Sequence, residues 1–273
     1  KTGDGAVEGK FTLESDGSID VSNDLVIGDA DATNSNIELI SNGAAVLDLA
    51  GSVTAAGDIV IDLTGLAMAV VTMSGTLNAT DDVTVTTTAN QDITGDDVLG
   101  LYGDITGDEI SITALGTGNV DIGDIAAAGF AFLSAVDGAI KTGSVTANAN
   151  KAGSGFAIEV QTTTGAVTAN GAYTADSQDG LNISIDSSTV VNNGRFAATG
   201  DIEIVATDTI TVNADMHAST GNIVLRADDD GTGGLPAFGA NDGTGDLVMN
   251  VGTTLTAPNG TIDVSGDNVT LGG

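Results

Sequence analysis

Short runs in which aliphatic residues alternate with Thr, Asp, Ser and Asn recur along the whole chain. Ile19/Val21, Ile37/Leu39, Ile59/Ile61/Leu63 and Val83/Val85 follow this alternation, as do Ile110/Ile112, Val120/Ile122, Ile183/Ile185, Ile202/Ile204, Ile210/Val212, Ile223/Leu225, Leu247/Met249/Val251 and Ile262/Val264. A period of two predicts half-buried strands, with Gly, Asp and Asn at the intervening turns. Several runs are near-copies: "GDIVIDLTG" at Gly57–Gly65, "GDIEIVATD" at Gly200–Asp208, "GNIVLRAD" at Gly221–Asp228 and "GTIDVSGD" at Gly260–Asp267. Helical periodicity is absent, and Lys, Glu, Gln and Arg, the long helix formers, are scarce. The chain reads as all-β.

Spacing narrows the architecture. Ile19, Ile37, Ile59 and Val83 open successive runs at similar intervals, and Ile183, Ile202 and Ile223 do the same. A repeat unit of about 20 residues cannot bury its own apolar face, so it must stack on its neighbours. A β-sandwich is the alternative, but it calls for hairpin turns and large core anchors. The expectation is a right-handed parallel β-helix forming one repeat domain over 1–273. Coils of about 20 residues at about 4.8 Å per strand give roughly 13 or 14 levels and a rod on the order of 65 Å. The pattern weakens over 96–152, and a loop is inserted at 227–246.

Composition supports an ordered chain with an unusual surface. Gly accounts for 39 of 273 residues, aromatics for 3%, and Trp is absent, so the core must be narrow and layered. A net charge of −32 would suit a disordered chain, but 41% hydrophobic residues in a regular pattern supply apolar surface to offset ordering entropy. Glu occurs only at Glu8, Glu14, Glu38, Glu109, Glu159 and Glu203; the other 32 acids are Asp, placed mostly at turns. Such a field disfavours nucleic acid and anionic lipid and favours cations. No cysteine is present, which excludes disulfides and thiolate metal sites. No signal peptide and no run long enough to span a bilayer are visible, and the chain reads as a mature or excised segment.

The richest candidate for chemistry is "ADDDGTGGLPAFGANDGTGD" at Ala227–Asp246, which repeats "DGTG" between two strands. Clustered carboxylates beside Gly and Thr suit Ca²⁺, with Asp228, Asp229, Asp230, Asp242 and Asp246 as ligands. Neither an EF-hand loop nor the glycine-rich calcium nonapeptide is present, and a solvated acidic loop is the competing reading. Weaker acidic turns occur at Asp29/Asp31, Asp81/Asp82, Asp96/Asp97 and Asp104/Asp108/Glu109.

Catalysis is not expected. Polysaccharide cleavage would want aromatic platforms and cationic groups beside its carboxylates, whereas the chain offers Tyr102, Tyr173, Arg195, Arg226 and four lysines. The single His217 has no evident partner. Sequons at Asn78, Asn182, Asn259 and Asn268 are expected by chance in so Asn-, Ser- and Thr-rich a chain, and these Asn residues suit turns or stacked amide ladders better. Two stretches are apolar on both alternating faces, "GLAMAVVTM" at Gly65–Met73 and "IAAAGFAFLSAV" at Ile125–Val136. They read either as a locally two-sided core or as a lateral contact surface made of Leu66, Met68, Val70, Val71, Phe130, Phe132 and Leu133.

The "GDIxI", "GNIxL" and "GxIxV" strands with intervening "TA", "TG" and "NA" segments, as in "GDIEIVATDTITVNADMHASTGNIVLRA", resemble the repeats of filamentous-haemagglutinin-like adhesins and related large bacterial surface proteins. The resemblance covers most of the chain and is clearest from Gly165 to Gly273; the family's amino-terminal secretion domain is not recognisable. It implies an extracellular, elongated right-handed β-helix that displays or builds a surface structure. Strand patterning reaches "NVTLGG" without a dedicated cap, and open strand edges template association. The sequence-level expectation is a self-assembling structural protein aided by Ca²⁺. An adhesin stalk binding a cell-surface or glycan target is the first rival, and a polysaccharide-degrading enzyme the second.

Overall fold

The computed structural model describes residues 9–27, 35–42, 46–64, 70–87, 99–101, 103–149, 155–176, 181–228 and 245–272. Every regular element among them is a β-strand, two to seven residues long. Among the described residues no helix is long and apolar enough to cross a membrane.

Each strand pairs in parallel with the strand three places on in the chain, so the polypeptide visits a first, second and third sheet in turn and rises one level per circuit. The result is a three-sided parallel β-solenoid with eleven strands in the first and second sheets and ten in the third. In-register positions of the first sheet are Phe11, Ile37, Ile59, Val83, Ile110, Ala131, Ile158, Ile183, Ile202, Ile223 and Ile262. The step from one to the next varies from coil to coil, and the widest, from Ile223 to Ile262, spans 229–244, which lie outside the described residues. A typical coil is about 24 residues. The expected 13 or 14 levels therefore become eleven, and the rod is shorter, roughly 50 Å at strand spacing. Strand lengths and register are held by pairing, whereas the corners absorb extra residues, so a repeat length taken from the most regular coils is too short.

Alternation drives the folding of each coil. The five-residue strands of the first sheet bury their first, third and fifth residues, as in Ile59–Leu63 and Val83–Thr87. Their inward side chains stack into columns: Ile37, Ile59, Val83 and Ile110 in one, Leu39, Ile61, Val85 and Ile112 in the next. Fully burying one such side chain is worth about 1.5–3 kcal/mol. The third sheet has strands of two or three residues and a second inward column of small side chains, Ala55, Ala127, Ala147, Ala175, Ala198 and Ala218. Tight corner packing explains their size: at the in-register Gly107, a Cβ would already stand 3.2 Å from Val83 and 3.5 Å from Ile110 of the first sheet. One corner demands glycine outright, because a Cβ at Gly103 would fall on the Gly75 carbonyl of the level below.

On the seventh and eighth strands of the third sheet the aliphatic column gives way to Tyr173 and Phe196, whose rings stack at 4.6 Å and 13°. The Tyr173 hydroxyl crosses the core to the Thr142 hydroxyl of the second sheet at 2.7 Å. Desolvation pushes the phenol well above its ordinary range, with the Thr142 hydrogen bond acting in the opposite direction.

Two expectations are corrected here. The stretch 96–152, expected to be irregular, carries eight strands in its described part, all in sequence through the three sheets. Inward Gly107, Ala114, Ala127, Ala131 and Ala135 conceal the alternation there, because their small side chains do not register as apolar peaks. The segment Ile125–Val136, expected either as a two-sided core or as an outer contact face, forms two ordinary strands, Ile125–Ala127 and Ala131–Ala135. Leu133 is wholly buried and Phe130 is 9% exposed, so neither belongs to a lateral surface; Phe132 points outward and is half-buried.

Candidate functional site

The recurrent Gly-Asp and Gly-Asn signature has a specific task. Its Asp or Asn stands just before the first inward residue of a first-sheet strand, and its side-chain oxygen accepts the backbone N–H of the equivalent residue one level on. Asn36 Oδ1 accepts from Asp58 N at 3.0 Å, Asp58 Oδ1 from Asp82 N at 3.2 Å, and Asp82 Oδ1 from Glu109 N at 3.2 Å. Asp201 and Asn222 continue the device, accepting from Asn222 N at 2.6 Å and Thr261 N at 2.8 Å. The entrance to the third sheet repeats it: Asp24 to Ser52 N, Asp124 to Ser144 N and Asp215 to Thr254 N, at 3.0, 2.6 and 2.8 Å. Short side chains with a carbonyl-type oxygen bridge about one strand spacing at a turn, which Glu is too long to do without disturbing the corner. Six of the Asp residues thus have a structural task at the corners.

Stacking carboxylates has an electrostatic cost. Burial pushes the Asp82 carboxyl above its ordinary value, and the charges of Asp58, Asp108 and Asp81 add to this, while the hydrogen bond from Glu109 N opposes it. Asp215 moves the other way: hydrogen bonds from Thr254, through Oγ1 and N, lower it, with Arg195 contributing a smaller favourable charge. Lys10 Nζ lies 2.5 Å from Glu38 Oε2 and holds that carboxyl below the usual carboxylate range.

The expected calcium ligands are not assembled by the described residues. Asp228 is 5% exposed and adopts a left-handed φ of 65° where the chain leaves the first sheet. Asp246 opens a second-sheet strand, with Oδ1 accepting from Asn268 Nδ2 at 2.8 Å. Asp229, Asp230 and Asp242 lie outside the described residues, as do Asp29, Asp31, Asp96 and Asp97. Among the described residues no group of three or more His, Asp or Glu is placed to share a metal ion. Of the other expected contact residues, Leu66 and Met68 lie outside the described residues, and Val70 and Val71 are placed in a second-sheet strand.

The groups considered for glycan chemistry are dispersed. Tyr173 is in the core, Arg226 pairs with Glu203 at 3.4 Å on the first sheet, and His217 faces outward on the third sheet between Ala197 and Thr256. Tyr102 lies outside the described residues. Of the sequon asparagines Asn182 is wholly buried, while Asn78 and Asn259 donate to Thr76 Oγ1 and the Ser219 carbonyl, each at 2.9 Å. A shallow groove of about 450 Å³ crosses the outer first sheet, with Ser134, Gln161 and Asp186 on successive levels and Val136 and Thr163 at its rim.

An external amide ladder is present, but at asparagines other than the four sequon residues for which the sequence suggested one. Asn193 Nδ2 donates to Asn170 Oδ1 at 3.2 Å, Asn213 Nδ2 to Asn193 Oδ1 at 2.7 Å, and Asn250 Nδ2 to Asn213 Oδ1. Four levels are linked at the corner leaving the second sheet. Its signal was available as an Asn ending "AVTAN", "VVNN", "ITVN" and "LVMN".

Ile262, Val269 and Leu271 are 45%, 42% and 61% exposed, although Ile223 and Leu247 directly beneath the first two are fully buried. Phe11, Leu13, Val21, Leu25 and Ile27 are only partly buried against the core. No protein-family model, curated protein or solved structure matches the chain, and the parallel β-solenoid is what its sequence and structure establish.

Proposed function

We propose that the chain is an extracellular structural protein, a mechanical rather than a catalytic element. On this reading it self-assembles into a filament, sheath or surface layer by stacking solenoid ends, with lateral contacts and divalent cations assisting. The observation that carries the reading is the in-register stack itself: inward columns such as Ile37, Ile59, Val83 and Ile110, and parallel backbone pairing in all three sheets, run along one axis. On this reading a second copy extends the same columns and the same parallel pairing along the axis. Such a contact is heterologous and does not close, which propagates fibres. The acidic surface, at −32 per chain, keeps the rods apart laterally unless cations screen them.

A stalk for an adhesive loop is the second reading, favoured by the long insertion between Ile223 and Ile262. The solenoid keeps its register across that insertion, with Ile223 paired to Ile262 on either side of it. The resemblance to haemagglutinin-like repeats is compatible with both readings.

Negative-stain electron microscopy of the purified chain in calcium and then in chelator separates them. Filaments or sheets that form in calcium and disperse in chelator are expected for the structural reading. Single short rods under both conditions refute self-assembly and leave the stalk.

A further inference from the structure

We propose that two copies associate side by side through the corner between the second and third sheets, over the levels that carry the asparagine ladder. The proposal rests on the self-assembly reading and names its lateral surface: Val191, Thr211 and Val248 on the second sheet, and Asn193, Asn213 and Asn250 at the corner.

Charge distribution selects this face. The outer first sheet carries Glu14, Glu38, Asp62, Glu159, Asp186, Glu203 or Asp263 on seven of its eleven strands. The central outward column of the second sheet holds Asp20, Asp48 and Asp121 at the lower levels. From Thr168 through Val191, Thr211 and Val248 to Thr270 that column is free of acids. The outward column of the third sheet carries no Asp or Glu from Val26 to Thr256 among the described residues. Asp215 and Asp246 border the patch; the first is held by Thr254 with Arg195 near, the second by Asn268. Two chains of charge −32 meet at least cost where the facing columns carry no carboxylate and the bordering ones are held by hydrogen bonds.

The ladder selects the partner. Each Asn amide has two N–H groups, and the ladder uses one, which leaves a row of donors repeating at about 4.8 Å. A second copy presents Asn and Thr oxygens at that same step, so contacts stay in register from level to level. A partner with another repeat drifts out of register after a few levels. A two-fold arrangement of the same patch on both chains satisfies this. Four levels span only about 15 Å along the axis, small beside the roughly 800 Å² per partner of a standard interface. Pairing of isolated chains is therefore weak, and salt strengthens it by screening the remaining acids.

Cysteine cross-linking tests this cleanly, because the chain contains no cysteine. Thr211→Cys is compared with Thr84→Cys, an outward first-sheet position, using a short bismaleimide at high salt, with circular dichroism to verify folding. The expected result is a covalent dimer several-fold more abundant for T211C than for T84C, reduced to the T84C yield by adding Val191→Asp. Equal yields, or a yield indifferent to V191D, overturn the proposal. A mixture of T12C and D263C chains reports end-to-end stacking separately. Linkage of that pair without T211C dimers refutes the lateral surface alone, and T211C dimers without it refute end stacking alone.

Discussion

The Thr142–Tyr173 hydroxyl pair offers a quantitative test of how the core is held. Both groups are buried, the bond is 2.7 Å long, and Tyr173 is stacked on Phe196, so its ring cannot swing to another partner. Tyr173→Phe removes one hydroxyl and leaves the other in an apolar core without its partner, a cost of about 1–3 kcal/mol. Thr142→Val does the same from the opposite side at a similar cost. The double variant removes both hydroxyls together and leaves no orphan, so its loss should fall well below the sum, with a coupling energy of about 0.5–3 kcal/mol. Urea unfolding followed by far-ultraviolet circular dichroism measures all four proteins, with unchanged m-values as the condition for comparison. The same pair sets an alkaline limit. The folded phenol titrates above its unfolded value near 10, so its contribution is complete below about pH 10 and is lost as pH rises beyond it. Y173F should flatten that alkaline decline. Strict additivity of the two substitutions, or an alkaline decline unchanged in Y173F, would refute the pairing argument.

Two further outcomes follow from the corners. Asp82→Asn keeps the oxygen that accepts Glu109 N but removes a charge raised by burial and by Asp58, Asp108 and Asp81; because the raised carboxyl contributes stability only below about pH 3.8 and loses it as pH rises, D82N should melt higher than the parent at pH 7 and equally at pH 3, and a pH-independent difference would count against this. Gly103→Ala puts a Cβ on the Gly75 carbonyl and should be strongly destabilising, more than about 3 kcal/mol; Gly155→Ala enters open space at a φ of 81° and should cost only about 1 kcal/mol, and thermal melts giving the reverse order would contradict the close-approach account.

The strand signal was legible because it depends on single residues and their neighbours. Ile59, Ile61 and Leu63 alternate with Val60 and Asp62 whatever the rest of the chain does, and the same holds for Ile202/Ile204 and Ile223/Leu225. The repeat was legible too, since a coil too short to bury its own face implies stacking. The signal failed where inward positions are small: Ala127, Ala131 and Ala135 are as buried as isoleucines, but composition alone does not distinguish a tight corner from a loop. It failed again at Leu133 and Phe130, because a run apolar on both faces does not reveal which face meets the core.

Candidate sites divide in the same way. The acid-rich turns were visible, but their role was not. Asp58, Asp82 and Asp201 cap the next level's backbone, a task defined by a residue one whole coil away in the chain. The asparagine ladder joins side chains separated by unequal lengths of chain, which appear as a row only when the coils are superposed. By itself the sequence determined the all-β class, the parallel stacking and the acidic exterior, because hydrophobic period and charge are local properties of the chain. Only the tertiary structure decided the three-sided section, the eleven levels, the inward course of Leu133 and the row of amides at one corner, because corners of variable length set which distant residues come to lie above one another.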